Sequence, residues 1–187
     1  MERELNKIFW GFLIVFINFY LFVINISPNT VGYFIAAAGL SRVNAQSSNF
    51  SKAKRWAILL GILSIPNIIK LDDWLKETPS IWSLSYSTIM GLFHMIVVLY
   101  ILMGIIETTS HNTRLQVGTR NFLKLYLAGS FLSLFFLPFI LNVSDNTAIV
   151  ITLGSAIISI VLEIIFLVLL QRYRSSFILN HHSSSSS

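Results

Sequence analysis

The chain has 187 residues, of which 55% are hydrophobic and 11% charged, with a mean hydropathy of +0.73. Soluble domains carry about 25% charged residues, so this composition excludes a water-coated globule and makes lipid the expected solvent. The net charge of +5 sits in short loops between apolar runs, which excludes the basic face a nucleic-acid binder needs; the absence of cysteine excludes disulfides, thiolate metal sites and a cysteine nucleophile.

A helix that crosses a bilayer needs about 20 mostly apolar residues. Six runs meet that need, and the first spans residues 8–24, ending at Asn25 and Ser27-Pro28. It is too long for the apolar core of a cleaved signal peptide, and residues 28–34 separate it from the small-residue stretch Ala36-Ala37-Ala38. The second run, 31–45, is the weakest, being apolar only through Leu40. The third, 52–69, is broken near its end by Pro66-Asn67. The fourth is 81–106; the fifth, 122–141, has Pro138 near its end; the sixth, 147–170, holds Glu163.

Stretches such as Ile96-Val97-Val98-Leu99 and 164–170 are apolar at every position, whereas a spanning strand alternates apolar and polar residues. Only a helix satisfies its own backbone hydrogen bonds in lipid without closing a barrel. The expected fold is therefore all-α, a six-span transmembrane bundle forming one domain over residues 1–175. Residues 176–187, which end in His181-His182 and a run of serines, read as a disordered low-complexity tail. The two adjacent histidines do not make a metal site.

Counting Lys and Arg by loop sets the orientation. Arg3 and Lys7 precede the first run; Arg42, Lys52, Lys54 and Arg55 lie between the second and third; Arg114, Arg120 and Lys124 lie between the fourth and fifth; Arg172 and Arg174 follow the sixth. Eleven of the thirteen basic residues thus share one side, and only Lys70 and Lys76 lie on the other. Both termini are expected in the cytoplasm. A five-span path that drops 31–45 scrambles this count, so the charges support the weakest run. Trp10 and Trp56 near cytoplasmic ends, and Trp74 and Trp82 at an external junction, fit the interfacial preference of indole.

Residues 19–30 resemble 136–147 at a constant offset, sharing an Asn-x-Ser-x-Asn-Thr pattern at Asn25 and Asn142. A parallel repeat is one reading; the other is that Asn, Ser and Thr are ordinary turn and cap residues.

Ionisable groups inside a span are costly and so mark candidate sites. Glu163 lies about 10 Å, and His94 about 18 Å, from the cytoplasmic ends of their runs at 1.5 Å per residue. If the fourth and sixth helices touch, the two can meet and relay protons or bind a cationic or hydrogen-bonding solute. Alternatively, Glu163 is protonated or reaches the interface beside Arg172 or Arg174, and His94 bonds a neighbouring carbonyl. Asn18 lies at intermediate depth in the first run, and Asn67 beside Pro66 could line an unwound segment. Ser155, Ser159 and Asn18 also suit interhelical hydrogen bonding. Gly32, Ala36 and Gly39 in the second run, and Ala57 and Gly61 in the third, place small residues where another helix can approach closely.

No His-Glu-x-x-His zinc motif is present, and Asp72, Asp73 and Asp145 fall in external loops, which leaves no intramembrane aspartyl pair. Neither an enzymatic activity, a metal nor a cofactor is expected.

Three groups of residues carry a family resemblance: Lys7-Ile8-Phe9-Trp10-Gly11-Phe12-Leu13; Pro28 with Gly32-Tyr33 and Gly39-Leu40; and Phe50 with Lys52-Ala53-Lys54. Over roughly residues 7–60 the chain resembles a group of small, uncharacterised multi-pass membrane proteins of Gram-positive bacteria. That group typically reads Leu-Pro-Asp before the Gly-Tyr pair, where this chain has Ser27-Pro28-Asn29. The resemblance implies a bacterial plasma-membrane location and no particular activity.

Two functions remain open at this level. One is a non-catalytic partner or regulatory subunit of a membrane assembly, favoured by the scarcity of intramembrane charge. The other is a small-solute transport component that binds its substrate among the helices. In size the chain resembles the substrate-binding subunits of energy-coupling-factor transporters, although their Ala-x-x-x-Ala pattern is missing from 8–24. The expected partners are the lipid bilayer and either another membrane protein or a small solute.

Overall fold

A computed structural model describes residues 2–21, 28–65, 81–109 and 112–184. Among the described residues there is no strand, and six α-helices carry the chain: α1 (Glu2–Leu21), α2 (Pro28–Val43), α3 (Ser48–Leu63), α4 (Ile81–Thr108), α5 (Thr113–Phe136) and α6 (Asp145–Ser184). Short 3-10 stretches occupy Asn44–Gln46 and Leu137–Asn142. Each apolar run read from the sequence overlaps one of these helices; residues 22–24 and 66–69 lie outside the described residues, and 44–45 and 137–141 fall in the 3-10 stretches.

Local chemistry explains the boundaries. Pro28 opens α2 at a position where its missing N–H is spare. Ser47, in extended conformation, caps α3 by accepting from the Asn49 N–H, and the Asn112 side chain accepts from the Leu115 N–H at the start of α5. Pro138 lies in the first turn of the 3-10 stretch that ends α5, and Asp145 puts a carboxylate at the positive end of α6. α6 continues as helix to Ser184, past residue 176, where the sequence suggests a disordered tail.

Three helical segments are long and apolar enough to cross a membrane: Ser85–Thr108, Thr113–Ile140 and Asp145–Ser176. α2 and α3 have 16 residues each, about 24 Å at 1.5 Å per residue, against a hydrocarbon core of about 30 Å. α1 has 20 residues, but Glu2, Arg3, Glu4 and Lys7 occupy its first two turns.

The helices pack in chain order, each on the next, and α6 closes the ring on α1. The closest approach is between α1 and α2. A Cβ added to Gly11 would stand 2.6 Å from the Ala36 nitrogen and the Gly32 oxygen; one on Gly32 would stand 2.7 Å from the Gly11 oxygen, and one on Gly39 2.6 Å from the Glu4 oxygen. Three glycines therefore let two backbones touch directly. Ala36 and Ala57 are fully buried, and Gly61 faces the Phe34 ring. Further round the ring, Gly104 receives the Phe50 ring, Gly91 receives Leu134 and Gly129 receives Leu162.

One end of the ring is tied by polar side chains. Both carboxylate oxygens of Glu107, at the end of α4, accept from the corner before and within α3, one from the Ser47 hydroxyl and the other from the Asn49 amide. Tyr173 on α6 bonds Thr108 at 2.9 Å and Gln46 at 3.4 Å, Arg174 donates to Asn6 at 3.2 Å, and Asn112 donates to Ser176 at 3.2 Å. The starts of α1, α3 and α5 and the ends of α2 and α4 thus meet α6 at one end. These are the segments that carry the eleven basic residues of the sequence count. Just inside this end the core is fully apolar, with Leu40, Val43, Phe50, Val98, Ile101, Leu102, Ile105 and Phe166 all at most 1% exposed.

Candidate functional site

Above that apolar layer lies a partly open chamber of about 370 Å³, lined by five of the six helices. α6 contributes Thr152, Ser155, Ser159, Leu162 and Glu163, and α4 contributes Tyr86, Ser87, Met90, Gly91, His94 and Met95. Both sets recur at three- and four-residue spacing and so form one stripe down each helix. α5 adds Tyr126, Ser130, Ser133 and Leu134, α2 adds Asn29 and Tyr33, and α1 adds Val15 and Phe16. The chamber therefore runs from Glu163 and His94, near mid-helix, toward the helix ends that hold Asn29, Tyr86 and Thr152.

At its inner limit three side chains from three helices form a chain of hydrogen bonds. Tyr33 Oη lies 2.9 Å from His94 Nδ1, and His94 Nε2 lies 3.2 Å from Glu163 Oε2. Phe12 packs edge-on against His94 at 5.9 Å and against Phe166 at 5.1 Å, walling the histidine from below. Glu163 is 5% exposed, and its second oxygen, Oε1, is buried with no hydrogen-bond partner among the described residues. A buried polar atom without a partner costs about 1–3 kcal/mol, more if charged. This oxygen, on a residue that lines the chamber, is the most acute unmet demand of the site.

The sequence separates His94 and Glu163 by about 8 Å in depth. The observed register shortens that separation. Thr108 pairs with Tyr173, which puts His94 fourteen residues and Glu163 ten residues from a shared level, a difference of about 6 Å along the axes at 1.5 Å per residue. The imidazole and carboxylate side chains span it. Glu163 thus turns inward to His94 rather than outward to Arg172 or Arg174, and Arg174 bonds Asn6 instead. Asn67 and the side chain of Asn18 lie outside the described residues, as do Trp74, residues 22–27 of the first repeat copy and the side chain of Trp82. Trp10 is exposed, and Trp56 packs on Phe93 at 5.2 Å.

Sequence reasoning singled out His94, Glu163, Ser155 and Ser159 but missed Tyr33 as the third member of the chain, and Tyr86, Tyr126, Ser130 and Ser133 as walls. Ser133 donates to the Ser155 carbonyl at 3.1 Å and lies 3.3 Å from the Ser159 hydroxyl, joining α5 to α6. The stripe Thr152, Ser155, Ser159, Glu163 was the available signal, because its spacing puts three hydroxyls in line with the acid.

Both ring nitrogens of His94 are engaged, one by a phenol and one by a carboxylate. With Glu163 ionised and His94 neutral, Nε2–H donates to Oε2 and the Tyr33 O–H donates to Nδ1. With His94 protonated, both nitrogens donate and Tyr33 accepts. The triad can therefore hold or pass a proton without moving a heavy atom.

No protein-family model, no curated protein and no solved structure matches this chain. The site is therefore read from its own geometry: a mostly apolar chamber among the helices with a few convergent polar side chains, closed by apolar packing toward the basic end, with one buried acid.

Proposed function

We propose that this chain is a six-span protein of a bacterial plasma membrane, with both termini in the cytoplasm, that binds a small solute in the chamber among its helices as a component of transport. The observation that carries the reading is the chamber itself, about 370 Å³ with Glu163 at its inner limit, one of whose carboxylate oxygens is buried without a partner among the described residues. Ligand pockets occupy about 300–1,000 Å³, are mostly apolar and carry a few convergent polar groups. An acid buried within a span is a functional candidate by its cost alone.

The membrane reading rests on apolar side chains turned outward. Phe131, Val150, Leu153 and Ile157 are each about 60–70% exposed on α5 and α6, a surface suited to lipid. The six-span path rests on the basic segments meeting at one end of the ring, since alternate crossings would then put eleven positive charges in the cytoplasm. The short α2 and α3 cross by local thinning of the bilayer and by snorkelling of the basic residues at their ends. The resemblance over residues 7–60 points to the same membrane. A reporter active only in the cytoplasm, fused after Arg174, is expected to be active; an inactive one overturns the path.

A second reading, as a non-catalytic subunit of a membrane assembly, is favoured by the end of α5 and the 3-10 stretch after it, where Phe131, Phe135, Phe136 and Phe139 form an exposed run of neighbouring rings. Gentle purification from native membrane separates the two readings. A small molecule retained with the full chain and lost in Glu163→Gln is expected from solute binding. A stoichiometric protein partner, retained equally by both forms, supports the assembly reading instead.

A further inference from the structure

We infer that the solute taken by this chamber is a small organic monocation, an amine with a compact apolar body, whose ammonium group pairs with Glu163 Oε1. The inference rests on the solute-binding reading above and adds the chemical class.

The charge of the lining decides the sign. Its described residues include one acid, Glu163, and no Lys or Arg. The titratable groups facing the site are Tyr33 from α2, Tyr86 and His94 from α4, Tyr126 from α5 and Glu163 from α6, with none from α1. An anion entering here would meet a carboxylate and no fixed cation. A neutral apolar solute would leave Oε1 buried and unpaired, at the cost given above. A turn of the Glu163 carboxylate that brings Oε1 to the chamber lets an ammonium N–H remove that cost with a charge-assisted hydrogen bond, the stronger kind. The contacts of His94 with Oε2 and with Tyr33 are left in place.

The walls decide the rest. Aromatic faces favour a cation within about 6 Å, and Phe16, Tyr33, Tyr86 and Tyr126 all border the chamber. Met90, Met95, Leu134 and Leu162 supply apolar surface for the body of the solute, and methionine adapts to irregular shapes. A bare metal ion fits less well: among the described residues no group of three His, Asp or Glu could hold one, and the volume is that of an organic molecule.

The chain has no cysteine, so one introduced thiol reports on one place. Ser155→Cys puts it in the chamber, and Ser144→Cys, on an exposed residue outside it, is the reference. The purified full-length variants are treated with methanethiosulfonates that carry either a trimethylammonium or a sulfonate group. The cation-to-anion rate ratio at Ser155→Cys is expected to exceed that at Ser144→Cys by about tenfold or more. Phenylethylammonium is expected to slow the reaction at Ser155→Cys while phenylacetate does not, and adding Glu163→Gln should return the ratio to the reference. Equal ratios at the two positions, with no charge preference in protection, overturn the cation assignment and leave a chamber that admits solutes. Failure of both reagents at Ser155→Cys, with normal reaction at Ser144→Cys, overturns solute entry itself. Because the rate ratio is measured with Glu163 in place, the result does not depend on how well the Gln variant folds.

Discussion

Gly32→Leu is expected to prevent α1 and α2 from docking, so that the full chain fails to accumulate as a monodisperse species in mild detergent. The Gly32 Cα faces the Gly11 carbonyl and Val15, and even a methyl group there would sit 2.7 Å from the Gly11 oxygen. Overpacking costs about 1–3 kcal/mol where side chains can shift. Here the obstacle is backbone, so the helices must separate along their length and lose the contacts of Phe12, Ala36 and Leu40, all fully buried. Against a total stability of about 5–15 kcal/mol, that loss is decisive. Gly118→Leu and Gly154→Leu are the controls, because a Cβ at either position meets nothing within 4 Å. Both are expected to purify like the parent, with thermal midpoints within a few degrees. Equal behaviour of Gly32→Leu and these controls would show that α1 and α2 do not touch as described.

The same contact shows what was legible in the sequence. Gly32, Ala36 and Gly39 stood out because small residues at four- and three-residue spacing mark a helix face. Their partner Gly11 did not, since one glycine in an apolar run has no pattern of its own. The helices themselves were legible, because apolar runs separated by proline, asparagine and charge leave few alternatives. Their lengths were less so. An apolar run measures the part of a helix that prefers lipid, whereas backbone hydrogen bonding continues through polar turns. Hence α5 begins at Thr113 rather than 122, and α6 extends to Ser184 rather than 170.

The site divides in the same way. His94 and Glu163 were visible because an ionisable residue in an apolar run is conspicuous whatever it touches. Tyr33 was not, because its role depends on which way α2 is turned, and Tyr is common in such helices for its ring alone. Glu107 was passed over because it lies at the end of a run, where a charge is unremarkable; its bonds to Ser47 and Asn49 come from a corner nearly sixty residues away in the chain. Distances between helices depend on register, and register is set by contacts such as Thr108 with Tyr173 that no local pattern encodes.

The second large effect is expected at His94. Removing the one hydrogen-bond partner of a buried polar group leaves it unsatisfied, at a cost of about 1–3 kcal/mol and more for a charged group, whereas replacing both partners by apolar groups of the same shape is often nearly neutral or stabilising. His94→Leu would leave Glu163 with both oxygens buried and unbonded, since Oε1 already has no partner and Oε2 relies on His94. The single variant is therefore expected to lower the thermal midpoint sharply. The double variant His94→Leu with Glu163→Leu is expected to recover most or all of the loss, while abolishing retention of any solute. If His94→Leu costs little, or if the double variant is no better than the single, the carboxylate does not depend on the imidazole. Recovery of stability without recovery of binding would mean that the chain keeps a polar pair its own packing does not need. On the proposed solute-binding reading, a group that satisfies the second Glu163 oxygen would relieve a cost that the folded chain already carries, and that relief would add to the affinity.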